Sequence, residues 1–188
     1  MRNCGGCTLC CKLLPVHEGV LVDGQRQGGG LDKAAGERCP HQRTGKGCAV
    51  YDGPRMPMCC SMWNCRWLVN DDTAELTRPD RAHYVIDVLP DYITVVDDAT
   101  GKETTIEVVQ IWCDPGYPNA HRDPALRRYL ERRAAEGKWA LVRYDQNHAF
   151  TLVLSPEGEW YEHESKVDIN RGDYSLLKVA AALQKETP

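Results

Sequence analysis

The opening stretch Cys4-Gly5-Gly6-Cys7-Thr8-Leu9-Cys10-Cys11 places four thiols within eight positions. A thiolate is a soft metal ligand, a redox centre or half of a disulfide. Cys39, Cys48, Cys59, Cys60 and Cys65 follow, so nine of the ten cysteines fall in the first 65 residues, and Cys113 stands alone downstream. Two thiolates offered by one tight turn can converge on a tetrahedral ion or on one corner of a cluster. Adjacent cysteines behave differently, because neighbouring side chains diverge by about 100° on a helix and point to opposite faces of a strand. Cys10 and Cys11 therefore bind metal most readily at two ions, or at two corners of a multinuclear centre; otherwise one of them packs. Cys39 and Cys48 bracket a glycine-rich loop in which His41 is a substitute ligand or an exposed loop residue. Cys59, Cys60 and Cys65 lie beside Met62, Trp63 and Trp67, bulky groups that either shield a centre from water or pack the segment on its neighbours.

The elements that must position these thiols divide the chain in two. Residues 1–70 are rich in Cys, Gly and Pro and read as an irregular cysteine-cluster unit, stabilised in part by metal because its apolar content is small. Residues 71–188 read as an α+β scaffold, antiparallel and β-rich with two helices. Strands are expected over 83–89, 92–97 and 104–112, from their Val, Ile and Tyr content and the turns between them. A helix is expected from Asp123 (N-cap) and Pro124 to Gly137, with Leu126, Tyr129, Leu130 and Ala134 inward and Arg127, Arg128, Glu131 and Arg132 toward water. A hairpin over 139–144 and 149–154, a short strand at Trp160-Tyr161 and a closing helix over 174–185 complete the reading.

At 188 residues and a formal net charge of -4, the chain lacks the basic surface that phosphate binding wants, so no nucleic-acid partner is expected. The first cysteine follows Met1-Arg2-Asn3 directly, and no apolar run approaches the roughly 20 residues that cross a bilayer, so a cytoplasmic protein without a membrane partner is expected. In a reducing compartment, clustered cysteines point to metal or redox chemistry; a disulfide framework rests on the even cysteine count alone. Gly28-Gly29-Gly30 reads as a loop, and neither Gly45-Lys46-Gly47 nor Gly101-Lys102 has the flanks of a P-loop. The six histidines are scattered, no Gly-x-Ser-x-Gly occurs, and Asp71-Asp72 and Asp97-Asp98 sit in polar turns. Cys113 reads as a buried cysteine at a strand end.

Cys4, Cys7 and Cys10, at steps of three, resemble the opening of a bacterial ferredoxin run, with Cys39-Pro40 as the remote fourth thiolate. The whole set resembles more closely the CxxCxxCC cysteine-cluster family. The motifs are Cys4 to Cys11, Cys39-Pro40, Gly47-Cys48-Ala49-Val50-Tyr51 and the run from Met56 to Trp67. They cover about the first third of the chain in matching order and spacing, and Arg78-Pro79-Asp80-Arg81 is a fainter echo. The family is described as zinc- or iron-chelating and is often labelled an iron–sulfur oxidoreductase. Met56 and Ser61 stand where the family has arginine, with Arg55 one place early. Either Cys60 is the matching cysteine and Cys59 the extra one, or the reverse. The resemblance implies Cys4, Cys7, Cys10, Cys11, Cys39, Cys48, Cys60 and Cys65 as metal ligands, with Cys59 and His41 as further candidates.

Two function classes follow. The leading expectation is an iron–sulfur or iron centre serving electron transfer or a redox step with a partner protein. The alternative is a zinc-binding structural or interaction module with one or two four-cysteine sites, or a metal storage or delivery protein. Whether any reaction is catalysed, and the oligomeric state, are not legible in these residues.

Overall fold

The computed structural model describes residues 2–16, 20–22, 25–27, 31, 33–57, 60–61, 63–97, 99–145, 147–165 and 177–179. The chain is mixed α+β. Its centre is β7 (Glu103–Cys113), a strand of 11 residues with partners on both edges. On one edge it pairs antiparallel with β6 (Asp91–Asp97) and, further along, with β5 (Tyr84–Ile86). On the other edge it runs parallel to β8 (Trp139–Arg143), which continues through β9 (Ala149–Leu154) to β10 (Trp160–Ser165) in antiparallel steps. A three-residue strand, β11 (Leu177–Val179), lies parallel to β6 at the far edge.

The sheet is therefore mixed, where the sequence suggests antiparallel pairing throughout. The reason is the connection between β7 and β8. It contains helix α4 (Pro124–Ala134), and a helical crossover returns the chain in the same direction. The punctuation of this helix is as expected: Asp123 accepts a hydrogen bond from the Ala125 N–H at 3.0 Å, Pro124 opens the first turn, and Gly137 follows at φ 79°. Arg127 departs from the expected pattern. Its guanidinium lies 4.9 Å from the Trp160 ring centroid and donates to the His121 carbonyl, so it packs on β10 instead of facing water. The closing helix expected over 174–185 is corrected at Leu177–Val179, which is strand; its other residues lie outside the described set, as does Gly28-Gly29-Gly30.

Strand alternation sorts the sheet into two faces. Tyr84, Ile86, Val109, Ile111, Cys113, Ala140, Val142, Phe150 and Leu152 point to one face and bury Leu126, Tyr129 and Leu130 of α4. The opposite face presents Ile93, Val108, Leu141 and Ala149 at one end and Val85 and Trp112 at the other. Val85 and Trp112 receive the cysteine-rich segment: Cys7, Leu9, Leu13 and Ala35 are buried against them, with Cys4, Cys10, Trp63 and Cys65 packed at the margin. The first 70 residues thus share a core with the sheet. The helix carrying this contact is α1 (Leu9–Leu13), whose two buried leucines are one turn apart. Lys12 fixes its far side through an ion pair with Asp114, 2.6 Å from Nζ to Oδ2, just beyond the end of β7. Two short helices, α2 (Arg66–Val69) and α3 (Pro79–Ala82), and hairpins β1–β2 (Val20–Val22, Gln25–Gln27) and β3–β4 (Gln42–Arg43, Gly47–Cys48) complete the described elements. Among the described residues, no helix is long and apolar enough to cross a membrane.

Candidate metal centre

Three chain segments far apart in sequence carry the thiols, and the first and third bring theirs over Val85 and Trp112. The first is the Cys4–Cys7 turn, closed by a hydrogen bond from the Cys7 N–H to the Cys4 carbonyl at 3.0 Å and running into α1. The second is the β3–β4 hairpin. The Gln42 amide donates to Thr8 Oγ1 at 3.0 Å, joining the hairpin to the start of α1. The third is the bend at Cys65, whose backbone pairs with Asp87 beyond β5. Trp63 holds that bend by donating its indole N–H to Asp87 Oδ1 at 2.8 Å. Trp67 turns the other way, donating to the Leu76 carbonyl and packing on the α4 face. The two tryptophans thus divide the alternatives: Trp63 borders the thiols and Trp67 fills the core.

Two glycine turns interlock to set the distance between the first two segments. A Cβ on Gly6 would sit 2.5 Å from the Gly45 carbonyl oxygen, and one on Gly47 would sit 2.7 Å from that of Gly5. Only hydrogen side chains permit this approach, and Gly47 also adopts φ 95°, a conformation L side chains rarely take. Cys48 follows directly, so the interlock fixes its backbone beside the opening turn.

The sulfurs form one connected set around α1, in which Cys11 lies near Cys4, Cys7 and Cys10 as well as Cys39. Cys4, Cys7, Cys10 and Cys65 interact with one another electrostatically. Cys11 faces Cys39, which in turn lies near Cys48. The Cys10 and Cys11 thiols are hydrogen-bonded to each other; Cys10 also lies near Cys4 and Cys65, and Cys11 near Cys4, Cys7 and Cys39. A backbone hydrogen bond from the Cys39 N–H to the Cys11 carbonyl, 3.0 Å, anchors the Cys39 segment. Cys60 is half-buried, its N–H bonding the Pro57 carbonyl at 2.9 Å. His41 lies just before β3, its carbonyl accepting from the Ala49 N–H at 2.8 Å. Cys59 lies outside the described residues. All nine described cysteines are free thiols.

Protons are shared unequally. The Cys4 thiol bonds to Cys7, which lowers Cys7 to about 7 against the opposing effect of burial; the N–H groups of Leu9 and Asp80 help. Cys10 bonds to Cys11 in the same way, and Cys11 is lowered to about 7 with assistance from the Lys33 charge. The proton-keeping partners Cys4 and Cys10 are raised, and burial raises Cys39 and Cys65. Among the described residues, no group of three or more His, Cys, Asp and Glu side chains is drawn together tightly enough to hold an ion as it stands. The thiols are arranged as hydrogen-bonded pairs, and a metal would exchange those S–H contacts for metal–sulfur bonds.

Two charged groups beside the sulfurs escape sequence reasoning. Arg78 stands next to the Cys4–Cys7 turn, bidentate with Asp80 at 2.6 and 2.7 Å. Lys33 is buried at 3% exposure on the Cys11 side. Only the Arg-Pro-Asp-Arg element offers a sequence signal; a lone lysine in a polar stretch offers none.

No family model, curated protein or solved structure matches the chain. The likeness to the cysteine-cluster family therefore rests on cysteine order and spacing, and function must be argued from the site itself.

Cys113 lies apart from the thiol groups. It is fully buried on the α4 face, and burial pushes its thiol up to about 12, opposed by the His121 N–H. Unfolded, the same thiol ionises near 9. The stability it confers is complete below pH 9 and is lost as pH rises from 9 toward 12. A Cys113→Ala chain lacks this loss, so in urea denaturation its deficit against the unaltered protein should shrink by about 1.4 kcal/mol per pH unit above 9. A deficit that stayed constant from pH 8 to 10.5 would contradict this reading.

Proposed function

We propose that this chain is a thiolate metal-binding protein whose cysteine region holds an iron–sulfur cluster or iron and serves electron transfer or a redox step with a partner protein. One observation carries the reading: thiols from two segments far apart in sequence, Cys4, Cys7 and Cys10 in one and Cys65 in the other, pack on one face of the sheet over the same buried Val85 and Trp112. The donor set fits such a group. It consists of thiols, the ligands iron–sulfur centres use, and they lie at the margin of an apolar layer that limits water access. Cys4, Cys7, Cys10 and Cys65 would hold metal on one side, and Cys11, Cys39 and Cys48 on the other, with Cys60 or His41 as the remaining donor. Bound, the group would supply one-electron chemistry; the chain's own part is to hold the sulfurs, exclude water and place countercharges.

A zinc-binding structural module is the second reading, favoured by the thiol-rich donor set: the eight candidate cysteines would suffice for two tetrahedral ions without any redox role. Metal and acid-labile sulfide content, with a visible spectrum, measured on anaerobically purified protein distinguishes the two. Iron and sulfide in comparable amounts with brown absorption are expected. Colourless protein with about two zinc ions per chain would establish the second reading. A folded protein that retained neither metal would overturn both.

A further inference from the structure

Four thiolates around a divalent ion leave about two uncancelled negative charges, and burying such charge is unfavourable unless a cation lies nearby. Arg66, next to Cys65, is half-buried and donates to the carbonyls of Asp87 and Val88 at 3.2 Å. Lys12 is committed to Asp114 at 2.6 and 2.7 Å, and Arg78 to Asp80, so both pairs are close to neutral. Lys33 differs. Its Nζ donates to the carbonyls of Ala34 at 3.1 Å and Glu37 at 2.8 Å, and among the described residues no carboxylate pairs with it. Carbonyls orient an ammonium without cancelling its charge. At 3% exposure this is an expensive place for a lysine, and nothing in the core of the sheet accounts for it.

The backbone explains where that charge is aimed. Residues 33–39 run back along α1. Lys33 and Val16 exchange both backbone hydrogen bonds at 2.7 and 2.9 Å, the Gly36 N–H reaches the Leu13 carbonyl at 3.0 Å, and the Cys39 N–H reaches the Cys11 carbonyl. Lys33 and Cys39 therefore stand at the two ends of one strap laid along the Cys11 side of the helix. Burial works against the Lys33 charge, and the groups that work for it begin with Cys39 and Cys11, followed by Glu37 and Cys10.

We propose that Lys33 is a built-in countercharge for the Cys11 and Cys39 side of the metal centre, its buried ammonium bound to the strap that ends at Cys39 and balancing the negative charge those sulfurs carry when bound to metal. This inference rests on the metal-binding reading. On binding, the thiol protons leave to solvent and Lys33 keeps its own. The family's arginines, replaced here by Met56 and Ser61, are thus not the only source of positive charge at the thiols.

The test uses the full chain with zinc as the probe, in competition with a chromophoric chelator, and urea denaturation of the chelator-treated protein. Lys33→Met should weaken zinc binding by about ten- to hundred-fold, the usual effect of losing an outer partner of a metal site. Lys33→Arg, which keeps the charge, should stay within about three-fold. Without metal, the Lys33→Met chain should be as stable as the unaltered protein or more so, since a buried charge has gone. If instead the substitution lowered metal-free stability and left zinc affinity unchanged, Lys33 would be a brace for the 34–37 turn and the proposal would be overturned. Should Lys33→Met fail to fold, Lys33→Gln keeps a donor for the two carbonyls without the charge and carries the same comparison. Failure of the unaltered chain to bind zinc or iron at all would instead strike at the metal-binding reading.

Discussion

With zinc as the probe, the double variant Cys4→Ser/Cys65→Ser is expected to retain about one ion per chain where the unaltered protein holds about two. Serine keeps the shape but not the soft, ionisable sulfur, so it leaves the local packing and removes the ligand. Cys4 and Cys65 belong to the group that also contains Cys7 and Cys10, reached from two different segments. Their loss should spare the ion held by Cys11, Cys39 and Cys48. The converse pair, Cys39→Ser/Cys48→Ser, should lose the other ion. Cys10→Ser/Cys11→Ser should weaken both, because each proposed ligand group takes one of these adjacent residues. The measurement is zinc stoichiometry by elemental analysis after gel filtration, with thermal melting as a second readout. A site occupied well above its dissociation constant adds about 2.7 kcal/mol at a hundred-fold excess, so each lost ion should lower the melting temperature visibly. If either distant pair emptied the protein entirely, the thiols would form one shared centre and the two-group arrangement would be wrong.

The second large effect is expected from a single methyl group. Gly6→Ala would drive a Cβ to 2.5 Å from the Gly45 carbonyl oxygen, far inside contact distance and against backbone that cannot rotate away. The two turns must part, and Cys48 then moves relative to Cys4 and Cys7. A fall in stability of about 1–3 kcal/mol and a drop in metal affinity of ten-fold or more are expected. Gly45→Ala is the control. It has φ 71° but nothing within 4 Å, so it carries only the left-handed backbone penalty of about 1–2 kcal/mol. The control should lose stability and keep metal affinity. Equal metal binding by the two variants would show that the interlock does not set the sulfur positions.

Much of the scaffold was legible because its signals are local. Alternating Val and Ile mark β6 and β7, and Asp123, Pro124 and Gly137 frame α4 through capping and backbone preferences that act within one turn. Arg127 was misread because its position on a helical wheel says nothing of Trp160, which arrives from a strand 33 residues later and offers its ring. The expected helix over 174–185 rests on an apolar period that a short strand satisfies equally well over three residues, and at Leu177–Val179 the sheet edge prevailed. The parallel step from β7 to β8 follows from the crossover helix and not from any property of the strands themselves.

At the thiols, the sequence alone determined the chemistry. Residue types and spacing make soft ligands, and the divergence of Cys10 from Cys11 is a property of backbone geometry that needs no partner. Which sulfurs stand together was decided only by the tertiary structure. Cys65 joins Cys4 because its bend is pinned to Asp87, Cys39 joins Cys11 through the strap that ends at Lys33, and Cys48 approaches because Gly6 and Gly47 leave room. The physical reason is range. Ligand identity resides in single side chains, whereas the company each sulfur keeps depends on hydrogen bonds and packing between segments up to about 60 residues apart, set by the shared burial against Val85 and Trp112.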